Sequence, residues 1–127
     1  MPVQIKWAYE KPSASDGVRI LVDGLWPRGQ SKEKLKIAEW MRDIAPSAAL
    51  RKWYGHKLEK WEAFRKKYRE ELKKPPRRAL FDELIRRAHK EHVTLVFAAR
   101  DRDHSNAAVL AEAIREARSS RSSPSTP

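Results

Sequence analysis

The chain has 127 residues and a formal net charge of +11, with 28 Lys and Arg against 17 Asp and Glu and no cysteine. That length fits one domain with its own core, and the missing cysteines exclude disulfides, thiolate nucleophiles and cysteine-bound metal clusters. No stretch approaches the roughly 20 apolar residues of a membrane-spanning helix, so we expect a cytoplasmic protein whose positive field attracts anionic partners.

Two strands are predicted in the first quarter of the chain. Val3, Ile5 and Trp7 alternate with less apolar residues, which predicts a short strand. The run from Val18 to Val22 is almost continuously apolar, which is typical of a strand covered on both faces. A Pro and a Gly in the turn at residues 27–29 end this second segment.

Helical periodicity dominates the middle of the chain. Ser31 is a start signal for a helix ending at Pro46, whose apolar residues recur at helical spacing: Leu35, Ala38, Met41 and Ile44. A short helix from Ser47 to Tyr54 follows, ended by Gly55. The next helix presents one stripe of large side chains, closed by two prolines: Leu58, Trp61, Phe64, Tyr68 and Leu72.

The last third of the chain predicts helix, strand and helix. A helix begins on Pro75 and Pro76, which a first turn tolerates, and carries two apolar stripes: Leu80, Leu84 and Ala88, with Phe81 and Ile85. His89 and His92 at its C-terminal end complement the helix dipole. Val93 to Phe97 predicts a strand, and a final helix presents four apolar residues: Ala107, Leu110, Ile114 and Ala117.

These elements predict a single small α/β domain over residues 1–118. Its core is a short parallel or mixed sheet flanked by several amphipathic helices. Residues 119–127 are rich in Ser, Arg and Pro, and we predict a disordered tail there because they have nothing to bury.

Two clusters of polar residues follow predicted strands, and ligands of open α/β sheets bind beyond the carboxyl ends of the strands. Asp23 and Arg28 follow the second strand, and Gly29 permits close approach of a ligand. We predict Asp23 as a proton-transfer residue. Arg28, Gly29 and Trp26 are candidate ligand-binding residues. Alternatively, Asp23 and Arg28 pair with each other or cap the next helix, and Trp26 is a buried anchor of the turn.

The segment after Val93–Phe97 brings five functional groups to a helix start: Arg100, Asp101, His104, Ser105 and Asn106. A helix N-terminus attracts phosphate or carboxylate through its free N–H groups and its dipole. His104 and Asp101 are candidates for proton transfer, and Arg100, Ser105 and Asn106 for ligand binding. Alternatively, Asp103 or Ser105 caps the helix and His104 points to solvent.

A third candidate is the aromatic loop that contains Tyr54 and His56, which either covers the pocket and binds ligand or only packs. A Mg²⁺ or Mn²⁺ site is conceivable from four residues, although their spacing does not demand one: Asp23, Asp101, Asp103 and His104. We predict no metal and no cofactor. The sequence contains no P-loop, G-x-G-x-x-G, H-E-x-x-H or serine nucleophile elbow.

Six motifs carry a family resemblance, of which the most specific is Leu25-Trp26-Pro27-Arg28-Gly29. The others are Asp16-Gly17, Arg19-Ile20-Leu21-Val22-Asp23, Leu50-Arg51-Lys52-Trp53-Tyr54-Gly55-His56, Phe64-Arg65-Lys66-Lys67-Tyr68 and Thr94-Leu95-Val96-Phe97-Ala98-Ala99-Arg100-Asp101. From about Ile5 to about Ile114 the chain resembles the YeaO-like branch of the domain-of-unknown-function 488 family. The resemblance implies a compact α/β fold and a bacterial or archaeal cytoplasmic protein, and it carries no established activity.

The chain departs from the wider family at one element. In that family the last strand is followed by an acidic residue and a Cys-His-Arg element, and an earlier strand ends in Asp and Arg. The resemblance places Asp23 and His104 at matching positions, whereas Asp103 and Ser105 replace the Cys and the Arg. Thiol chemistry is therefore out of reach. Some YeaO-like members are labelled transcriptional regulators, but the helix spacing here does not support a helix-turn-helix.

Two hypotheses follow, and whether the protein is an enzyme stays open between them. The first is a pocket for a small anionic, phosphorylated or nucleotide-like molecule at the two clusters. The second is a nucleic-acid-binding or regulatory module that uses the basic helices between Lys57 and Lys90. Acidic residues are interleaved in those helices, so a solvated, internally paired surface is the alternative interpretation of their charge.

Overall fold

The computed structural model describes residues 3–121, with side chains as far as Arg118. Within that range, four parallel strands form one sheet in the order β1–β4–β2–β3: β1 (Val3–Trp7), β2 (Val18–Leu21), β3 (Glu39–Trp40) and β4 (Val93–Phe97). The three predicted strands are confirmed, and so is the small single-domain α/β class. Because every described strand is parallel, all carboxyl ends meet at one edge of the sheet.

Five α-helices connect and cover the described strands: α1 (Lys32–Leu35), α2 (Ala48–Tyr54), α3 (Trp61–Leu72), α4 (Arg77–Lys90) and α5 (Asn106–Arg121). The predicted start and end of α2 are confirmed. The side-chain oxygen of Ser47 accepts the N–H of Leu50, and Gly55 ends the helix in the left-handed conformation. Short 3-10 helices occupy residues 14–16, 42–44, 58–60 and 102–104.

The predicted helix from Ser31 to Pro46 is wrong. The chain leaves α1 at Lys36, which adopts a left-handed conformation with φ 50°, and then pairs with the edge of β2 as β3. The N–H of Met41 donates to the carbonyl of Leu21 at 2.9 Å. In a continuous helix this N–H would instead donate to the carbonyl four residues earlier. Leu35, Met41 and Ile44 are nevertheless buried, but Leu35 packs on one face of the sheet and Met41 and Ile44 on the other, so their spacing does not mark one helix face.

The sheet separates two apolar layers of unequal size. The larger layer joins alternate residues of the strands to α2, α3, α4 and α5, with Tyr68 and Phe97 among its largest fully buried side chains. The smaller layer lies on the opposite face, where Leu21, Leu35 and Val96 pack together. Alternation along each strand assigns successive side chains to these two layers.

A buried ion pair completes the smaller layer near the amino ends of the strands. Asp16 contacts Arg19 at 2.7 Å and Lys6 at 3.0 Å. Burial alone raises the pKa of Asp16, but hydrogen bonds from Ser13, Lys6 and Arg19 outweigh it and hold that pKa below its ordinary value. The charged Arg19 therefore fits inside an otherwise apolar strand because its partner is buried with it.

The C-terminal helix extends past the predicted domain boundary at residue 118. α5 continues to Arg121, and the rest of the predicted tail, residues 122–127, lies outside the described residues. None of the helices in the range 3–121 has both the length and the apolar character required to cross a membrane.

Candidate functional site

A cleft of about 520 Å³ lies beyond the carboxyl ends of β2 and β4. The loops that follow these two strands, together with α2 and the start of α5, form its walls. In parallel α/β sheets this edge is the usual location of ligands, since loops from adjacent strands diverge there. Both polar clusters singled out in the sequence contribute residues to this cleft.

Asp23 connects the two strands that border the cleft. Its side-chain oxygen Oδ2 accepts the N–H of Ala98 at 2.8 Å, and its carbonyl accepts the indole N–H of Trp40 at 2.7 Å. Burial raises the pKa of Asp23, partly opposed by the Ala98 and Asn106 hydrogen bonds and by the positive charges of Arg51 and His56. In the described structure Asp23 forms no ion pair with Arg28, so the pairing alternative is not observed.

The side chains of Ser105 and Asn106 fix the start of α5 by hydrogen bonds. Asn106 donates through Nδ2 to the carbonyl of Val22 at 3.0 Å, which ties α5 to the end of β2. Ser105 caps the helix by accepting the N–H of Ala108 at 3.1 Å and donates to the carbonyl of Arg102 at 2.9 Å. Ser105 therefore has the structural role of a cap while it also lines the cleft.

Asp101 and His104 form a pair at the cleft wall. Nδ1 of His104 lies 2.9 Å from Oδ2 of Asp101. Because a carboxylate only accepts hydrogen bonds, we assign the proton of the neutral imidazole to Nδ1, which leaves Nε2 as an acceptor. The ring packs edge-to-face on Trp61, with centroids 5.0 Å apart, so His104 is held by the protein and does not simply point to solvent.

The wall beside His104 is aromatic. The hydroxyl of Tyr54 donates to the carbonyl of His104 at 3.0 Å, and its ring stacks on Phe64 with centroids 4.2 Å apart. Burial and the charge of Asp101 raise the pKa of Tyr54 above its ordinary value. The packing alternative for Tyr54 is thus observed, although the residue also lines the cleft.

His56 reaches the cleft from a loop with unusual backbone geometry. Gly55 and His56 both have positive φ, of 52° and 58°. A left-handed conformation is uncommon for a residue with a side chain, and such strain is often found at functional sites. The turn brings the imidazole of His56 to the same cleft as Tyr54.

Arg51 lines the cleft although the sequence did not suggest it. Its Nε donates to the carbonyl of Pro46 at 3.2 Å, and its guanidinium lies 3.4 Å from the position that a Cβ on Gly24 would take. Within the described residues its two Nη atoms form no ion pair. A usable signal was present, since Arg51 precedes Tyr54 by three residues and so shares its helix face.

The loop after β2 supplies the opposite wall. Trp26 donates its indole N–H to the carbonyl of Gln30 at 2.6 Å and packs against Trp40. Trp26 therefore anchors the turn, as the alternative interpretation of this residue predicted. The hydroxyl of Tyr9 donates to the carbonyl of Arg28 at 3.0 Å and holds the loop. The guanidinium of Arg28 is exposed at the cleft. Gly29 has φ 79° and lies outside the lining.

Other candidate residues are not brought to the cleft. Arg100 is exposed on the loop after β4 and does not line the cleft, and Asp101 touches it only through His104. Asp103 faces a different cavity, beside Ile5. Among the described residues, no three His, Asp or Glu side chains converge on a position for a metal ion, so the conceivable four-residue site is not assembled.

The basic helices between Lys57 and Lys90 are partly neutralised by their own acids. Six of their cations form ion pairs within residues 3–118: Arg65, Arg69, Lys73, Arg77, Arg78 and Arg87. The internal-pairing interpretation is therefore correct for this subset. Lys60, which precedes α3, and Lys67, in the middle of α3, are not among these paired cations of the described range.

Comparisons with known proteins identify the family of the chain and add no activity. A family model described as "Inactive DUF488-N3 subclade" matches residues 2–127. An uncharacterized protein of Mycobacterium tuberculosis (strain ATCC 25618 / H37Rv) is 38% identical over 112 residues, which cover 88% of this chain and 92% of that protein. The uncharacterized protein YeaO of Escherichia coli (strain K12) is 37% identical over 115 residues, covering 91% and 98%. No solved structure matches the chain. The YeaO-like resemblance is thus confirmed, and the chain belongs to the inactive DUF488-N3 subclade of the domain-of-unknown-function 488 family.

Proposed function

We propose that the cleft binds a small phosphorylated, nucleotide-like ligand. The observation that carries this proposal is the charge of the lining, in which the guanidinium groups of Arg28 and Arg51 face a single carboxylate, Asp23, beside the imidazoles of His56 and His104. Guanidinium groups bind phosphate through paired, charge-assisted hydrogen bonds, which makes an anion the best complement to this wall.

The beginning of α5 supports the phosphate end of the proposed ligand. Ser105 and Asn106 line the cleft at the first turn of this 16-residue helix, where N–H groups and the helix dipole favour negative charge. Arg51 and Arg28 line the same cleft from other elements. A phosphate placed there receives donors from three separate segments of the chain.

The aromatic lining supports the second half of the ligand. Tyr9, Trp26, Tyr54 and Phe64 contribute rings to the cleft. Binding sites for small molecules commonly combine such apolar walls with a few polar groups that fix orientation. A planar base joined to a phosphate satisfies both parts of this lining, whereas inorganic phosphate satisfies only the charged part.

The proposed activity is recognition and not turnover. The subclade is described as inactive, and the cysteine of the wider family's Cys-His-Arg element is absent from this chain. The Asp101–His104 pair then serves binding, with Nε2 of His104 accepting a hydrogen bond from a donor group of the ligand.

Isothermal titration calorimetry with adenosine monophosphate, adenosine and inorganic phosphate tests the proposal. We expect adenosine monophosphate to bind at least about tenfold more tightly than either fragment, since each half of the ligand adds on the order of 1.4 kcal/mol or more. Equal affinity for adenosine and its monophosphate would contradict the anion part of the proposal. Absence of binding by all three probes, in calorimetry at two temperatures, would remove the proposed function.

A further inference from the structure

We propose that a second surface, the lysine–tryptophan patch formed by Trp53, Lys60 and Lys67, binds single-stranded nucleic acid. Trp53 lies in α2, Lys60 in the 3-10 helix at residues 58–60 and Lys67 in the middle of α3, and none of the three lines the cleft. The patch is therefore independent of the small-molecule site.

The patch holds two ammonium groups against one aromatic ring. Nζ of Lys60 lies 4.7 Å from the centroid of the Trp53 ring, and Nζ of Lys67 lies 5.3 Å from it. Lys60 also donates to the carbonyl of Trp53 at 2.9 Å. Cation–π attraction restricts both lysines and the hydrogen bond further restricts Lys60, so less side-chain freedom is lost when an anion binds them.

The charges of the patch are not neutralised by the protein. Within residues 3–118, neither Lys60 nor Lys67 forms an ion pair, whereas the neighbouring Arg65 and Arg69 are held by acidic residues of α5. Two further exposed lysines without ion pairs flank the patch: Lys52 and Lys57. Phosphate contacts by such unpaired ammonium groups release counterions and provide affinity for a polyanion.

The exposed indole distinguishes a single strand from other polyanions. Trp53 keeps 38% of its surface exposed, and among the described aromatic side chains only Tyr9, at 40%, is more exposed. Proteins that bind single strands combine a basic surface with aromatic rings on which unpaired bases stack. In a duplex the bases are stacked inside the helix and are not available to stack on Trp53. Inorganic polyphosphate contains no bases.

Fluorescence anisotropy with a labelled thymidine oligonucleotide tests this assignment. The double variant Lys60→Glu/Lys67→Glu is compared with Arg86→Glu/Lys90→Glu, which makes the same charge change at exposed residues of α4. We expect the patch variant to weaken binding by on the order of tenfold or more, and to reduce the slope of log affinity against log salt by about 1.4, since each single-strand contact contributes about 0.7. Equal losses in the two double variants would overturn the proposal, because net charge alone would then explain binding.

A second pair of variants tests the stacking. Trp53→Phe keeps a ring and is expected to retain most of the affinity, whereas Trp53→Ala is expected to lose about 1 kcal/mol or more, roughly fivefold or more, as stacking on one base is removed. Thermal melting of each variant confirms that it is folded. Inorganic polyphosphate or duplex DNA binding as tightly as the oligonucleotide would overturn the proposal, and so would an oligonucleotide that does not bind the wild-type protein at all.

Discussion

Gly17→Ala is expected to destabilise the fold by about 3 kcal/mol or more, since backbone strain and a steric clash add together. Gly17 has φ 66° and ψ −135°, a conformation that residues with a side chain rarely adopt. A Cβ at this position would lie 2.3 Å from the carbonyl oxygen of His92. That oxygen accepts the N–H of Val18 at 2.9 Å, so it cannot move without breaking the pairing that starts β2.

The matched control is Gly29→Ala. Gly29 also has a positive φ, of 79°, but a Cβ there would meet nothing within 4 Å. We expect this control to cost only about 1 kcal/mol, the strain of a left-handed residue. Urea denaturation of both variants measures the difference. Losses of the same size would show that the His92 carbonyl is not a fixed obstacle and that β2 can shift.

Loss of the cleft arginines is expected to have the largest effect on ligand binding. Arg28→Ala/Arg51→Ala should reduce affinity for adenosine monophosphate, measured by calorimetry, by on the order of a hundredfold or more, because a hydrogen bond to a charged group contributes about 1.5–3 kcal/mol. The free energy of unfolding should change by no more than about 1 kcal/mol, since both guanidinium groups are exposed.

Arg100→Ala is the control for this pair. Arg100 is an exposed arginine of the same cluster, but it does not line the cleft. We expect its removal to change affinity less than about threefold, the part of the effect that comes from net charge. An Arg100 variant that loses as much affinity as the double variant would show that long-range charge, and not contact in the cleft, determines binding.

Periodicity predicted the strands and the longer helices because each of these elements buries one face against the core. Phe64, Tyr68 and Leu72 of the predicted stripe are buried on one face of α3 as expected. Leu58 was wrongly included in that stripe, because it precedes α3 and is exposed. The structure of the region from Ser31 to Pro46 could not be predicted from its periodicity. Its apolar spacing suits a helix, but hydrogen bonds to the edge of β2 hold the chain extended, and such partners are invisible in local sequence.

The sequence predicted the location of the candidate cleft but not all of the residues that line it. A parallel sheet brings the loops after β2 and β4 to one edge, so Asp23 and His104 line the same cleft although they are distant in the chain. Arg51 arrives from α2, whose docking depends on tertiary packing. Arg100 stays outside the lining because the path of the loop between β4 and the 3-10 helix at residues 102–104 leaves it exposed, and sequence spacing does not specify that path.

The most direct test of the account is to map where adenosine monophosphate binds, by backbone amide chemical shifts of the wild-type protein during titration. We predict that the largest shifts occur around the cleft, at Ala98, at Arg51 and in the first turn of α5 from Ser105 to Ala108. Shifts confined to the lysine–tryptophan patch, or spread evenly over the basic helices, would contradict a ligand site at the carboxyl ends of β2 and β4.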